Sequence, residues 1–184
     1  MPCPQSKFSQ LVPVPPRGSY NTGLSACRPG TLRKLLGDPR ETFDQQCRPV
    51  TNRALKARIV TASVGPFRVT GLDVAVASLT RVMAAFRATD PAAYAAVGTA
   101  GMLCARFVRG SQKSVSNHAW GTAVDLTFDG EVDPRGDGKV QAGLLRAYRF
   151  FHAEGWFWGA GFSREDAMHF ELADETVRVL LASG

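Results

Sequence analysis

The sequence predicts an α+β fold in which a small antiparallel sheet is flanked by helices. Some segments repeat apolar residues at helical spacing, whereas shorter ones alternate apolar and polar residues as strands do. The two kinds of segment do not follow one another as regular βαβ units, which favours an antiparallel sheet over a parallel one. The length of 184 residues suffices for one domain with a sizeable core.

The N-terminal region contains little periodic sequence. Residues 1–30 hold six of the eleven prolines, so we predict an extended arm, rich in Pro and Gly, without a core of its own. Residues 31–184 are predicted to form a single domain. That domain begins with a short helix at 32–36 and continues with two short strands within 58–70.

The clearest helix begins near Asp73, a residue type suited to the N-cap position. Its buried stripe is predicted from apolar residues at helical spacing: Leu72, Val76, Leu79, Val82, Met83 and Phe86. Asp90 and Pro91 are expected to open a second short helix that runs to Val97.

Strands are predicted at 102–109, 122–128 and 168–172, and helices at 141–154 and 174–182. The loop 129–138 superficially resembles a calcium loop, with Asp133, Asp137 and Gly138. Arg135 stands where a ligand is needed, however, and Leu144 replaces the closing acid. We therefore do not predict calcium binding.

The net charge of +6 is unevenly distributed. Residues 1–70 carry 11 Lys and Arg against 3 Asp and Glu, whereas residues 71–184 have a balance of −2. This basic half could hold a polyanion of the cell envelope. Its basic residues are scattered without interleaved aromatic residues, so we expect a solvated surface and no nucleic-acid partner.

Targeting signals are not evident. No apolar run is long enough for a membrane span, and the first residues lack the apolar core of a secretory signal. We therefore expect a protein that is delivered by other machinery if its substrate lies outside the cytoplasm. We also expect a monomer.

Four cysteines, at positions 3, 27, 47 and 104, are not spaced as Cys-x-x-Cys, which argues against a zinc site built from cysteines. A Cys27–Cys47 bridge is conceivable in an oxidising compartment. Because no secretory signal is evident, we expect four reduced thiols instead.

Two histidines and an aspartate form the strongest functional pattern in the chain. His118 and Asp125 lie in one segment and His169 in another, and together they provide the protein ligands of a catalytic zinc ion. Alternation within the strands turns Asp125 and His169 away from their apolar neighbours, towards a cleft. We therefore predict one bound Zn²⁺.

Asp166 and Glu171 flank the second histidine. Asp166 cannot lie on the His169 face of a regular strand, so we place it in the preceding turn, where it is available for proton transfer. Glu171 is predicted either to orient a ligand imidazole or to be an exposed strand carboxylate.

Several other residues are candidates for contact with a substrate. Arg106 and Arg109 could bind a carboxylate or a developing oxyanion. Trp156 and Trp158 could form the wall of a substrate groove, although aromatic residues more often pack in the core. His152 has no ligand partner nearby and is interpreted as structural.

The motifs Ser-x-His-x-x-Gly-x-Ala-x-Asp-Leu, at 116–126, and Asp-x-Met-His-Phe-Glu, at 166–171, resemble one family. This family contains the zinc D-alanyl-D-alanine carboxypeptidases and L-alanyl-D-glutamate endopeptidases, phage endolysins among them, and shares its fold with the hedgehog signalling domain. The resemblance covers about residues 100–172. One departure is Ala160, where many members have a glycine.

The resemblance implies specific roles. His118, Asp125 and His169 would be the zinc ligands and Asp166 the catalytic acid and base, where many relatives carry Glu. Arg106 would be the substrate-binding arginine, and Ser116 would contact the substrate. The implied partner is the peptide of bacterial peptidoglycan.

Four functions remain open on the sequence alone. We favour an L-Ala-D-Glu endopeptidase for cell-wall degradation, because the Asp-x-Met-His-Phe form resembles endolysins, and a chain without a signal suits phage lysis or effector delivery. A D-Ala-D-Ala carboxypeptidase is the first alternative. The others are a non-catalytic zinc-bearing module and, as the weakest, a nucleic-acid-binding protein.

Overall fold

The computed structural model describes residues 7–182 and confirms the α+β class. The helices and strands follow one another in this order: β1 (Leu11–Pro13), α1 (Pro29–Leu36), α2 (Arg53–Lys56), β2 (Ile59–Ser63), β3 (Arg68–Leu72), α3 (Asp73–Thr89), α4 (Pro91–Ala96), β4 (Val97–Gly101), β5 (Ala123–Phe128), β6 (Lys139–Gln141), α5 (Ala142–Ala153), β7 (Trp156–Trp158), β8 (His169–Leu172) and α6 (Asp174–Ala182). Two 3-10 turns, Asn117–Trp120 and Gly159–Gly161, precede β5 and follow β7.

The central sheet has four strands in the order β4-β5-β8-β7, and every neighbouring pair is antiparallel. Two smaller antiparallel pairs, β2 with β3 and β1 with β6, lie outside it. The register of β5 and β8 places Asp125 opposite His169. Two of the predicted metal ligands therefore occupy facing positions on adjacent strands.

One face of the central sheet carries the core. Val124, Leu126 and Phe128 of β5 are fully buried, as their alternation with polar residues predicts. Phe170 of β8 stacks on Phe151 of α5, with ring centroids 4.1 Å apart. The opposite face is consequently left for the polar residues of both strands.

The N-terminus of α3 differs in detail from the prediction. Leu72 occupies the capping position and Asp73 is the first helical residue. The Asp73 carboxylate accepts a hydrogen bond from Val74 N at 2.6 Å and pairs with Arg58 at 2.9 Å. It still stabilises the helix, because a negative charge in the first turn interacts favourably with the positive, N-terminal end of the helix dipole.

The predicted strand at 102–109 is wrong. This segment is a loop with two isolated bridges, one between Ala105 and Arg48 and one between Phe107 and Val115. Strand β4 pairs with β5 at this edge of the sheet instead. Its sequence, Val-Gly-Thr-Ala-Gly, shows no clear alternation of apolar and polar residues. Within this loop, Phe107 packs against Phe43, with ring centroids 5.7 Å apart, and Met102 lies against Gly71 of β3.

Residues 7–28 of the predicted arm lie along the rest of the molecule. Strand β1 pairs with β6, and Tyr20 and Cys27 are buried in the common core. The Tyr20 hydroxyl donates a hydrogen bond to Ala160 O at 3.1 Å. Residues 1–6 lie outside the described residues, and a domain boundary at residue 30 stays a prediction.

The expectation of four reduced thiols is wrong, because Cys47 and Cys104 are joined in a disulfide. This bond ties the segment before α2 to the loop after β4. Cys27, the partner that sequence reasoning considered for Cys47, is a free and buried thiol, and burial raises its pKa. Across residues 7–182, no helix combines the length and apolarity that a membrane span needs.

Replacing Cys47 and Cys104 with serine should lower the free energy of unfolding by about 4 kcal/mol, because the bond closes a loop with a sequence separation of 57 residues. Urea titration of the oxidised protein and the variant measures the difference. The replacement Cys27→Ala is the control, because it leaves this bond intact: a reducing agent should destabilise it as it does the wild type, whereas the double variant should be unaffected. An unfolding midpoint that is equal for the wild type and the double variant would contradict the prediction.

Candidate metal centre

His118 is positioned by the 3-10 turn Asn117–Trp120, which ends at Gly121 with φ +70°. A Cβ atom on Gly121 would lie 2.6 Å from Leu72 N, and the Gly121 carbonyl accepts a hydrogen bond from that same nitrogen at 2.9 Å. The absence of a side chain at Gly121 therefore permits close approach to the backbone of β3.

The three predicted ligands converge on one point. His118 Nε2 lies 3.2 Å from Asp125 Oδ1 and 3.1 Å from His169 Nδ1, and His169 Nδ1 lies 3.2 Å from Asp125 Oδ1. A tetrahedral zinc site with bonds of about 2.0–2.2 Å needs donor atoms about 3.4 Å apart. The triangle therefore fits one small cation with a further coordination position open, and these residues could hold a metal ion.

The tautomers of the two imidazoles support the same conclusion. His118 Nδ1 lies 2.7 Å from Met102 O, which can only accept, so Nδ1 carries the hydrogen. His169 Nε2 lies 2.9 Å from a Glu171 carboxylate oxygen and likewise donates. When neutral, each ring therefore directs its lone pair at the common point. Two lone pairs and a carboxylate this close together need a positive charge among them.

Glu171 is a buried residue that fixes the orientation of His169. Besides the imidazole, its carboxylate accepts hydrogen bonds from Asn117 Nδ2 at 2.8 Å and from Cys27 N at 2.8 Å. Asn117 Nδ2 also donates to Cys27 O at 2.9 Å. The alternative of an exposed strand carboxylate is wrong.

Sequence reasoning missed Asn117, Met102 O and the Cys27 backbone as parts of this network. Asn117 directly precedes His118 in the motif, which was the available signal. The two backbone groups carry no sequence signal, because any residue type provides them.

The surroundings of His169 favour its protonated form. Burial alone lowers the pKa of His169, but hydrogen bonds to Asp125 and Glu171 outweigh it and raise the pKa to about 10. Burial alone raises the pKa of Asp125, but the two histidines outweigh it and hold that pKa well below its usual range. At neutral pH an imidazolium therefore faces a carboxylate in the absence of metal.

A cleft of about 880 Å³ opens over this centre. Asp166 lines it from the turn before β8, as predicted. Its backbone N donates to Gly159 O at 3.0 Å and its carbonyl accepts from His169 N at 3.1 Å. The turn thus sets Asp166 beside the three ligands without making it one of them.

Arg106, Ser116 and Arg109 also line the cleft. Arg106 Nη1 donates to the carbonyl of Phe107 at 2.9 Å. Burial lowers the pKa of Arg106 and the nearby Arg109 charge adds to this, whereas Asp125 and Asp166 act in the opposite direction. Ser116 is buried just before the 3-10 turn that carries His118.

The structure does not bring Trp156 and Trp158 to the cleft. Both are fully buried, and their ring nitrogens donate to Ser78 Oγ at 2.9 Å and to Ala167 O at 2.7 Å. The prediction that they form a groove wall is therefore wrong, because strand β7 turns both indoles into the core. Phe162 lines the cleft instead, with its ring 5.5 Å from that of His169. His152 lies outside the cleft and contacts Thr22 O at 3.0 Å, in keeping with a structural role.

A paired imidazole and carboxylate donor set, with a further carboxylate and an arginine in one cleft, is typical of metal-dependent hydrolases. Residues 109–172 match the model of a family described as D-alanyl-D-alanine carboxypeptidase. The matched stretch includes His118, Asp125, Asp166 and His169 but not Arg106. A search of curated proteins found no match. The family match supports a hydrolase of the peptidase class.

Metal binding should release protons, because the ion must displace the proton held by His169. As the pKa of His169 is raised, the apparent affinity should increase by about tenfold per pH unit between about pH 7 and pH 9 and level off above about pH 10. Titration calorimetry of the metal-free protein with Zn²⁺, in buffers of different ionisation enthalpy, counts the released protons. An affinity that is independent of pH over that range would contradict the assignment.

The substitution Glu171→Gln should lower metal affinity about 10-fold to 100-fold, because it weakens the acceptor that fixes His169. The matched control is Glu175→Gln. Glu175 also binds the N-terminal segment, through Ser25 N at 2.9 Å, but lies outside the metal centre. Competition with a chromogenic chelator measures both variants. Equal affinities for the two variants would show that Glu171 does not position the ligand.

Proposed function

We propose that this chain is a zinc peptidase that hydrolyses a peptide bond of bacterial peptidoglycan, and that it is an L-alanyl-D-glutamate endopeptidase. One observation carries the proposal: three donor atoms within 3.2 Å of one another share a cleft with a separate carboxylate, Asp166. The peptidase family match over residues 109–172 supports the same class of reaction.

His118, Asp125 and His169 are the proposed zinc ligands. A zinc ion held there would act as a Lewis acid and would make a water molecule acidic near neutral pH. With a single carboxylate among its ligands, it would keep a net positive charge. Glu171 and Met102 O keep the two imidazoles in the tautomers that this role requires.

Asp166 is the proposed general acid and base. Its carboxylate lies in the cleft with its side chain about one quarter exposed, so it can meet both water and substrate. It accepts a proton from the attacking water and delivers it to the nitrogen of the leaving amine. The turn that holds Asp166 is anchored at Gly159 O and at His169 N, which fixes it relative to the ligands.

Arg106 and Ser116 are proposed to bind the substrate. A guanidinium remains protonated even where burial lowers its pKa, so Arg106 can stabilise the negative charge that develops on the carbonyl oxygen. Ser116 offers a hydroxyl at the start of the segment that carries His118. All proposed residues belong to one chain, and we propose that the monomer is active.

The endopeptidase is preferred because the segment Asp166-Ala167-Met168-His169-Phe170 has the endolysin form. A D-Ala-D-Ala carboxypeptidase is the second candidate, favoured by the description of the matching family. A non-catalytic zinc-bearing module is less well supported, because Asp166 is present with every ligand and lies in the cleft.

Digestion of purified sacculi tests the proposal. The zinc-loaded protein should release free amino groups, and mass spectrometry of the products should show stems that begin with D-Glu rather than stems that lack a terminal D-Ala. The substitution Asp166→Asn should lower kcat by about 100-fold or more without loss of bound zinc.

The matched control is Asp137→Asn, which changes a carboxylate of the exposed loop that accepts a hydrogen bond from Lys139 N. It should retain near wild-type activity. Release of amino groups that survives both a chelator and Asp166→Asn would exclude the proposed mechanism.

A further inference from the structure

Arg135 approaches the proposed general acid from the loop between β5 and β6. Its Nε lies 3.5 Å from Asp166 Oδ2, and both residues line the cleft. The Arg135 side chain is about one third exposed. Sequence reasoning considered this residue only as an obstacle to calcium binding.

The loop that carries Arg135 is fixed on both sides. Gly136 N donates to Glu165 O at 3.1 Å, and Gly138 N donates to Glu165 Oε1 at 2.8 Å. Asp133, which is buried, accepts a hydrogen bond from Gln141 N at 2.6 Å. The same turn that positions Asp166 therefore positions Arg135, through Glu165.

The chemistry of the leaving group indicates which part of the substrate lies beside Asp166 during the reaction. The proposed acid gives its proton to the leaving nitrogen, so this nitrogen must approach Asp166 during the reaction. In D-Ala-D-Ala the carbon attached to that nitrogen bears the terminal carboxylate. In L-Ala-D-Glu it bears the α-carboxylate, because the stem continues through the side chain of the glutamate. Either carboxylate is two bonds from the nitrogen.

Arg135, which contacts Asp166, is therefore placed to bind that carboxylate. Arg135 and Asp166 form a loose ion pair, with 3.5 Å between Nε and Oδ2. The planar guanidinium of Arg135 can therefore donate hydrogen bonds to a second anion. Arg106, by contrast, directs Nη1 at the Phe107 carbonyl.

We infer that Arg135 is a specificity-determining residue that binds the α-carboxylate of the residue following the scissile bond. This inference rests on the proposed function and narrows its substrate class. The substrate is a peptide in which that carboxylate is free, and the α-amide is a poor substrate.

The charges of the cleft agree with an anionic peptide. Asp125 faces the two histidines and Glu171 is held by His169, Asn117 and Cys27 N. Four arginines line the same cleft: Arg106, Arg109, Arg135 and Arg164. With two of the carboxylates engaged inside the metal centre, the positive charges dominate the surface that a substrate meets.

Two synthetic stem peptides test the inference, one with a free α-carboxylate after the scissile bond and one with the α-amide. The wild-type zinc enzyme should hydrolyse the acid with a kcat/KM about tenfold or more above that of the amide. Arg135→Gln should lower kcat/KM for the acid by about the same factor and leave the amide nearly unchanged. Arg135→Lys should restore part of the preference, because it keeps the charge but not the fork.

Arg33→Gln is the matched control, since it removes one positive charge from an ion pair with Asp38 that lies outside the cleft. It should leave the ratio between acid and amide as in the wild type. A wild-type enzyme that does not distinguish the two peptides would overturn the inference. So would an Arg135→Gln variant that is impaired equally on both, because Arg135 would then act through Asp166 alone.

Binding to the metal-free protein separates this inference from the proposed function. The metal-free protein should bind the intact acid peptide about tenfold more tightly than the amide, and Arg135→Gln should remove the difference. If this preference is observed but the zinc-loaded protein hydrolyses neither peptide, the proposed function fails and the carboxylate site stands. If neither hydrolysis nor the preference is observed, both fail.

Discussion

The antiparallel pairing of β5 with β8 is the constraint on which the metal centre depends. Its register sets Asp125 opposite His169 and Val124 opposite Phe170. Because side chains alternate between the faces of a strand, a shift of either strand by one residue would turn its ligand towards the core. The fully buried Val124 and Phe170, with Phe170 stacked on Phe151, hold the register. The apolar core and the ligand geometry are therefore consequences of the same pairing.

His118 reaches the centre by a different route. It lies in a 3-10 turn that Gly121 attaches to the backbone of β3, and its ring is oriented by the carbonyl of Met102. Glu171 and Asn117 connect the second histidine to the backbone of Cys27, in the N-terminal segment. A segment with almost no regular structure thus helps to orient a ligand, which explains why residues before α1 are packed against the core.

The sequence predicted those parts of the structure that a regular pattern encodes. Alternation identified β5 and β8, and helical spacing identified α3, because one face of each must be apolar. The loop 102–109 contains apolar residues without a sheet position, since β4 already occupies that edge of β5. The run Trp156-Phe157-Trp158 is apolar throughout, so the sequence cannot tell which face is buried. The Cys47–Cys104 pair and the approach of Arg135 to Asp166 depend on tertiary contacts, which no local pattern reports.

The three carboxylates of the site have different roles because their surroundings differ. Glu171 is buried and accepts hydrogen bonds from two neutral donors and an imidazole, so it is locked as an acceptor. Asp125 faces two imidazole nitrogens at 3.2 Å, which keeps it ionised and suited to a cation. Asp166 lines the cleft, and its carboxylate lies 3.5 Å from the guanidinium of Arg135. A group that exchanges protons during a reaction must be able to change its partner, and among the three this freedom belongs to Asp166.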